Sequence, residues 1–337
     1  MENNEVLVVI PIEKSNPVAV EKICLELYKK MNFSKYKDFK RDLKEWVQKN
    51  IPELGSEDDV FIKIMTADYH LLQKYKDIGK SENFSKKEEK ISKYLIQSYG
   101  KIDSEFRKKI IDLKNITVCP YCNRNYINSI YKSIHCSQCN QNFFILDEAD
   151  KKCPTCKRKS RKKGKPINTA QLDHFFPKNK YPLFAVSFYN LIPSCYSCNR
   201  IKLEKELKYS PYDTDFQFND VKFTYVPKAV DELTIKIESK DSDSEFNQSI
   251  KDLGIEELYQ SHIDVIDELL WKKEVYTDEY KQGLSAILDN TDLKLTNQEI
   301  DRFITGYYIN KEDYGKRPLS KMVADISREI GLIGGEQ

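Results

Sequence analysis

The sequence predicts an α+β protein that is mostly α, with a zinc-binding middle region that holds an inserted zinc ribbon between two helical flanks. Apolar residues recur at helical spacing in both flanks, and two short runs alternate apolar with polar residues. Eight of the nine cysteines form four C-x2-C pairs. These features divide the 337 residues into 1–113, 114–212 with the ribbon at about 130–168, and 213–337.

The first region is predicted to be a small helical bundle. Its opening segment, Glu5–Ile12, has the composition of a short strand. Helices are predicted where apolar residues repeat every three or four positions: Val18–Met31, Phe39–Val47, Val60–Leu72 and Ile91–Tyr99.

The last region begins with two β-like runs, Val221–Val226 and Leu233–Ile237, in which apolar and polar residues alternate. Helical patterns fill most of Glu245–Leu332, and the polar sequence Asn290–Asp292 predicts a turn between two of them.

Composition excludes some classes of protein. The longest apolar run, Val6–Ile12, is far too short to cross a bilayer, so no membrane partner is expected. The residues Met-Glu-Asn-Asn-Glu at the N-terminus lack the features of a secretory signal, which predicts a cytoplasmic location. Disulfides are a poor explanation for nine cysteines in that compartment.

Charge is segregated along the chain. Residues 114–208 hold 18 Lys and Arg against 6 Asp and Glu, a net +12, which leaves −10 for the rest of a chain whose total is +2. The densest part, Lys151–Lys165, has nine basic residues and no acidic one. This segment suits a nucleic acid, with Arg158, Arg161, Lys162 and Lys163 as contacts, or is simply a solvated loop.

The four C-x2-C pairs predict two structural zinc ions, because two such pairs complete one tetrahedral sulfur site. A redox role would need one pair and would leave three unexplained. The gaps after Cys122 and Cys139 are equal, so spacing leaves consecutive and nested pairing open. Context favours nesting. The inner site is then Cys136, Cys139, Cys153 and Cys156, and the outer site is Cys119, Cys122, Cys195 and Cys198.

An Asp-His pair stands between the zinc-binding pairs. The order CPYC at 119–122, LDHFFPK at 172–178, NLIPSCYSCN at 190–199 and RIK at 200–202 resembles the HNH, or His-Me finger, endonuclease family. The similar subgroup has a four-cysteine zinc site, like that of phage junction-resolving endonucleases. The resemblance covers about a hundred residues, 116–211, and implies a ββα core: a hairpin with Asp173 and His174, then a helix from near Tyr196.

Chemistry assigns roles to these residues. His174 suits a general base near neutral pH, and Asp173 with the Asn199 amide oxygen suits one catalytic Mg²⁺ or Mn²⁺. The third letter of the motif is often His and is here Asn199, which weakens the affinity for transition metals. The resemblance implies that Asn190 holds the loop or the His174 ring. Residues near the motif that are predicted to contact phosphate are Lys178, Arg200 and Lys202.

The sequence therefore predicts a metal-dependent endonuclease, with DNA favoured over RNA, that leaves 5′-phosphate and 3′-hydroxyl ends. A segment at 316–321 is similar to the tail of bacterial HNH proteins that work beside an ATPase in anti-phage defence, which implies such a partner. The alternatives are a non-catalytic nucleic-acid-binding adaptor and a subunit active only with its partner. Asp173 and His174 could also form a pair that only supports a zinc site.

Overall fold

The structure is a computed structural model, and it is mostly helical. It describes residues 11–31, 33, 36–55, 59–131, 133–144, 152–159, 166–213, 221–229, 232–239, 244–289 and 295–334. The chain forms two compact units. The N-terminal unit comprises the described residues of 13–115 and 127–199, and the C-terminal unit those of 1–12, 116–126 and 200–337. The three regions defined from the sequence stay a prediction.

Seven helices precede the cysteine-rich segment in the described residues. They are α1 (Pro17–Lys30), α2 (Phe39–Asn50), α3 (Pro52–Gly55), α4 (Val60–Thr66), α5 (Tyr69–Lys74), α6 (Glu89–Ser98) and α7 (Ser104–Lys114). All four helical patterns of this region are found in helices, whereas α3 and α7 were not predicted. The strand predicted at Glu5–Ile12 lies outside the described residues except for Pro11 and Ile12, which are not in a strand.

The helix predicted over Val60–Leu72 is two helices, because Asp68 begins a new one. Asp68 adopts an extended backbone conformation, and its side chain accepts a hydrogen bond from the backbone N–H of Leu71. This is an N-cap, which satisfies a backbone donor that no helical carbonyl reaches. Asp59 and Asp103 begin α4 and α7 in the same way.

Aromatic side chains fill the core of the N-terminal unit. The rings of Phe39 and Phe61 meet edge to face at 5.2 Å, and those of Trp46 and Phe84 stack at 4.4 Å. Such pairs combine a large buried apolar area with a defined geometry. The core therefore fixes how α2 and α4 pack on each other.

Six short strands lie in the N-terminal unit, each in an antiparallel pair. Strand β1 (Ser129–Tyr131) pairs with β4 (Pro166–Asn168), β2 (Ser133–His135) with β3 (Asn142–Phe144), and β5 (Gln171–His174) with β6 (Leu191–Ser194). In the last pair Asp173 faces Ile192 and His174 faces Leu191. Helix α8 (Tyr196–Lys202) follows β6 directly.

Two hydrogen bonds fix the loop between β5 and β6 to the helices. The Ser187 hydroxyl donates to the Ile64 carbonyl at 2.7 Å, and the buried Lys114 ammonium donates to the Phe188 carbonyl at 3.0 Å. Lys114 also lies 3.8 Å from the centroid of the Phe188 ring, and burial holds the pKa of Lys114 well below its usual range. Helices α4 and α7 thus hold the loop that faces the predicted site.

The C-terminal unit contains the predicted hairpin and a set of helices. Strand β7 (Val221–Ala229) pairs with β8 (Glu232–Ser239), which confirms both β-like runs. The helices are α9 (Ser244–Leu253), α10 (Ile255–Tyr259), α11 (Ile263–Val275), α12 (Asp278–Asp289), α13 (Asn297–Thr305) and α14 (Ser320–Glu329). Helix α14 packs on β7, where the Phe223 N–H donates to the Asp325 carboxylate at 3.0 Å. The turn predicted at 290–292 lies outside the described residues.

Candidate metal centres and catalytic site

The eight paired cysteines form two groups of four. One group is Cys119, Cys122, Cys195 and Cys198, the other is Cys136, Cys139, Cys153 and Cys156, and in each the sulfur atoms all lie within 4.8 Å of one another. This confirms the nested pairing. A tetrahedral zinc ion with four thiolates places the sulfurs about 3.8 Å apart. In the inner group two sulfur pairs lie at 3.6 and 3.4 Å, so the site fits zinc.

Three of the four C-x2-C turns have the same backbone geometry. The residue after the second cysteine adopts the left-handed backbone conformation, with φ of 47° at Asn123, 60° at Asn140 and 59° at Lys157. The N–H of this residue donates to the carbonyl of the first cysteine, at 2.8 to 2.9 Å. Asparagine tolerates this conformation better than most residues do.

These turns direct backbone N–H groups at the sulfur atoms. The N–H groups of Cys139 and Gln138 lower the pKa of Cys136, and the N–H of Cys156 lowers the pKa of Cys153 to about 6. Zinc binds the thiolate, so donors that stabilise the thiolate favour metal binding. Two of the four sulfur atoms of the inner group are stabilised as thiolates in this way, whereas burial and the neighbouring sulfurs raise the pKa of Cys139 to about 12.

The inner group forms a small independent ribbon. Its apolar residues are Ile134 and Phe143, which pack around the four cysteines and bury few other side chains. His135 is exposed, and its two ring nitrogens lie 3.0 and 2.9 Å from the amide oxygens of Asn142 and Asn140. His135 is therefore not a ligand of the inner site, whose four candidate ligands are all cysteine sulfurs.

Within the C-terminal unit, Asn123 connects the first cysteine turn, Cys119–Cys122, to residues near the end of the chain. The Asn123 amide donates to the Tyr314 carbonyl at 2.8 Å and accepts from the Lys321 N–H at 3.1 Å. The hydroxyl of Tyr259 donates to the Cys122 carbonyl at 2.6 Å. The segment at 316–321 therefore lies against this turn. Sequence reasoning missed the role of Asn123, although an Asn directly after a C-x2-C pair is a signal for a left-handed residue.

The last cysteine turn begins a helix instead. The Cys198 N–H lies 3.5 Å from the Cys195 sulfur, and the Asn199 N–H donates to the Cys195 carbonyl at 3.1 Å. Helix α8 thus places Asn199 directly after a zinc ligand. Asn199 is half-buried and Arg200 is exposed.

The two residues predicted to do chemistry end strand β5. Asp173 is 4% exposed and His174 is 8% exposed. The strand ends at His174, where the chain bends, so adjacent side chains are no longer held to opposite faces of a strand. The His174 ring meets the Tyr99 ring edge to face at 4.4 Å, and the Tyr99 hydroxyl donates to the Leu172 carbonyl at 3.0 Å.

The surroundings of Tyr99 also affect its ionisation. Burial raises the pKa of the Tyr99 hydroxyl, the Arg107 charge opposes this, and the Asp173 charge adds to it. At neutral pH the hydroxyl is therefore protonated and can donate. Tyr99 lies outside the family motif, and no pattern around it distinguished it from a core residue.

A backbone carbonyl defines the proton position on His174. Its Nε2 lies 2.9 Å from the Ala185 carbonyl oxygen, which can only accept a hydrogen bond. In the neutral ring Nε2 therefore carries the proton and Nδ1 is the basic nitrogen. A neutral imidazole fixed in one tautomer can accept a proton at a defined atom.

The Asn190 side chain holds the loop between β5 and β6. Its amide oxygen accepts from the Phe176 N–H at 2.8 Å, and its amide nitrogen donates to the carbonyls of Phe176 and Phe184 at 3.1 and 2.9 Å. Asn190 is fully buried. These bonds are those of a residue that holds the loop, which is the role expected for it, and they leave its amide directed at backbone groups.

We expect Asn190→Ala to lower the free energy of unfolding by about 3 kcal/mol, because three buried backbone groups lose their partner. Asn83→Ala is the matched control, since the Asn83 amide also donates to two carbonyls but is exposed. Urea unfolding of both variants measures the difference. Equal losses in the two variants would contradict the role of Asn190.

The predicted phosphate contacts have different environments. Lys178 is half-buried and Arg158 is exposed, with the Arg158 guanidinium donating to the Gln138 amide at 2.8 Å. Lys202 is 0% exposed, so it does not present its charge to a nucleic acid, and we remove it from the predicted contacts. Arg161, Lys162 and Lys163 lie outside the described residues.

Comparison with known proteins shows a distant similarity. Over 91 residues the chain is 32% identical to the Septu protein PtuB of Bacillus thuringiensis. The match covers 26% of this chain and 34% of that protein. The chain thus spans about a third of the length of the curated relative that it matches. No family model and no solved structure matches the chain.

No helix in the described part of the chain is both long and apolar enough to span a membrane.

Proposed function

We propose that this protein is a metal-dependent endonuclease of the HNH type that hydrolyses phosphodiester bonds in DNA. The observation that carries the proposal is the fixed tautomer of His174. Its Nε2 faces the Ala185 carbonyl at 2.9 Å, so Nδ1 is the basic nitrogen, and the ring is held from the side by Tyr99. In the neutral ring the single N–H is bonded to the Ala185 carbonyl, so that proton is not shared with the Asp173 carboxylate.

His174 has the role of general base in this proposal. Its Nδ1 accepts a proton from the attacking water, and the resulting imidazolium is stabilised because Nε2–H stays bonded to the Ala185 carbonyl. Asn190 holds the loop that contains this carbonyl, through its bond to Phe184. The geometry of the base thus depends on the loop as well as on the strand.

In this proposal two oxygen donors hold the divalent cation. The Asp173 carboxylate and the Asn199 amide oxygen are hard ligands, which fit Mg²⁺ or Mn²⁺ better than zinc. Such an ion, when bound, supplies Lewis-acid stabilisation of the phosphate and of the departing 3′ oxygen. The two four-cysteine sites have no open position, so their zinc ions are structural.

The proposal extends to anti-phage defence. The 32% identity to the Septu protein PtuB supports a role in bacterial defence for this chain. The resemblance at 316–321 to proteins that act beside an ATPase supports an ATPase partner. In this structure the same segment bonds to Asn123, so it also has a role within the chain.

The test is a cleavage assay on the full chain with two zinc ions bound. Supercoiled plasmid, linear duplex, single-stranded DNA and RNA are incubated with Mg²⁺ or Mn²⁺, with and without the ATPase encoded beside this gene. Cleavage products with 5′-phosphate ends, detected by ligation, support the proposal. Absence of cleavage under all of these conditions overturns it.

The second candidate is an adaptor that binds nucleic acid without cutting it. The exposed Arg158 on the ribbon favours this function, since it lies in the most basic part of the sequence. Binding to the same substrates without cleavage, with or without the partner, would be the result expected of an adaptor.

A further inference from the structure

Two basic side chains lie beside the same aromatic ring as His174. The Arg107 guanidinium carbon is 5.6 Å from the Tyr99 ring centroid, and the Lys178 ammonium nitrogen is 5.4 Å from it. The His174 ring is 4.4 Å from the same centroid. Arg107 comes from α7 and Lys178 from the loop after β5, so segments distant in sequence bring both charges to one ring.

Arg107 and Lys178 differ from most of the cations around them in having no acidic partner among the described residues. Within the part of the chain that the structure describes, no Asp or Glu forms an ion pair with Arg107 or Lys178. By contrast, the two lysines that follow Arg107 on α7 each form an ion pair, Lys108 with Asp112 and Lys109 with Glu26. Arg107 and Lys178 are also half-buried, which strengthens their interaction with an anion relative to a fully exposed pair.

We infer that Arg107 and Lys178 bind the phosphate group of the nucleic acid that lies next to His174, with the Tyr99 ring as the platform that positions both. The inference rests on the proposed function. A guanidinium donates to two phosphate oxygens at once, and an ammonium adds a point charge. Contact with the ring face holds both side chains near the general base through cation–π attraction.

Arg107 and Tyr99 precede the region of family resemblance, which begins at Ile116. The N-terminal helical region therefore contributes to substrate binding in this inference, and does not only support the hairpin. The Tyr99 hydroxyl bonds to the Leu172 carbonyl at 3.0 Å, so a phosphate beside this ring would lie near the end of β5, where Asp173 and His174 stand.

Binding is tested with Arg107→Gln and Lys178→Gln, each introduced into full-length His174→Ala protein so that the substrate stays intact. The probe is a fluorescein-labelled DNA, both duplex and single-stranded, with Ca²⁺ present and no chelator, because chelators remove structural zinc. Each variant is expected to raise Kd about tenfold and to reduce the slope of log Kd against log salt by about one. Lys29→Gln, which removes one exposed charge on α1, is the control and leaves both unchanged.

Cleavage separates this inference from the proposed function. With His174 intact, Arg107→Gln should raise KM, and Arg107→Lys should restore part of the loss. A zinc content of two ions per chain verifies that each variant is folded.

If wild type cuts DNA while both Gln variants bind and cut DNA as wild type does, the inference is overturned and the proposed function stands. If the variants lose binding but wild type never cuts, the phosphate site stands and the nuclease proposal fails. If wild type binds none of the probes, both are overturned.

Discussion

His174→Ala is expected to reduce DNA cleavage by about 10² to 10⁴ while the protein stays folded with two zinc ions. A positioned general base contributes that factor in rate, and its removal leaves water without a proton acceptor. The side chain lies at the end of β5, and the substitution removes its bond to the Ala185 carbonyl and its contact with the Tyr99 ring. Initial rates of plasmid nicking in Mn²⁺ measure the effect.

His135→Ala is the control, because His135 is an exposed histidine of the ribbon. It should keep full activity. Added imidazole should restore part of the rate of His174→Ala, since a small base can occupy the space left by the ring, and it should not accelerate His135→Ala. A His174→Ala protein that nicks plasmid within tenfold of wild type would disprove the role of His174 as the base.

The sequence predicted the metal sites well because their chemistry is local. A C-x2-C pair sets its own turn, and only the grouping of pairs depends on the fold. Nesting was chosen from context, and the sulfur distances confirm it. The pair of strands β5 and β6 and the helix after Cys195 also lie where the sequence places them. Chemically distinctive residues mark both positions, since β5 ends in Asp173 and His174 and α8 contains Cys198.

The rest of the site depends on tertiary contacts that no local pattern encodes. Tyr99 looks like an ordinary residue of an amphipathic helix, and Arg107 lies in a helix that the sequence did not predict; only packing brings Tyr99 to His174 and Arg107 to the Tyr99 ring. Lys202 looks like a surface cation two residues after Arg200, yet the fold buries it. The environment of such a side chain is set by its neighbours in space, which a single sequence does not reveal.

The second large effect is expected for the outer zinc site. Cys198→Ser should lower zinc content from two ions to one per chain and abolish cooperative unfolding of the region around β5, β6 and α8. Structural zinc contributes about 10 kcal/mol or more of apparent binding free energy, which is comparable to the whole unfolding free energy of a typical domain. Cys198 lies in the first turn of α8 and its sulfur belongs to the outer group, so the end of the hairpin and the start of the helix lose their common metal ion.

Cys139→Ser separates the two zinc sites. The inner group has its own small core around Ile134 and Phe143, so loss of its ion should unfold the ribbon and leave the environment of His174 intact. That variant should hold one zinc ion and still cut DNA, whereas Cys198→Ser holds one ion and does not. Cys24→Ser, which alters the only cysteine outside the four pairs, should keep both ions. Zinc measured by mass spectrometry, with activity on the same samples, distinguishes these outcomes. Loss of activity in Cys139→Ser equal to that in Cys198→Ser would mean that the ribbon is part of the catalytic fold and not an insertion into it.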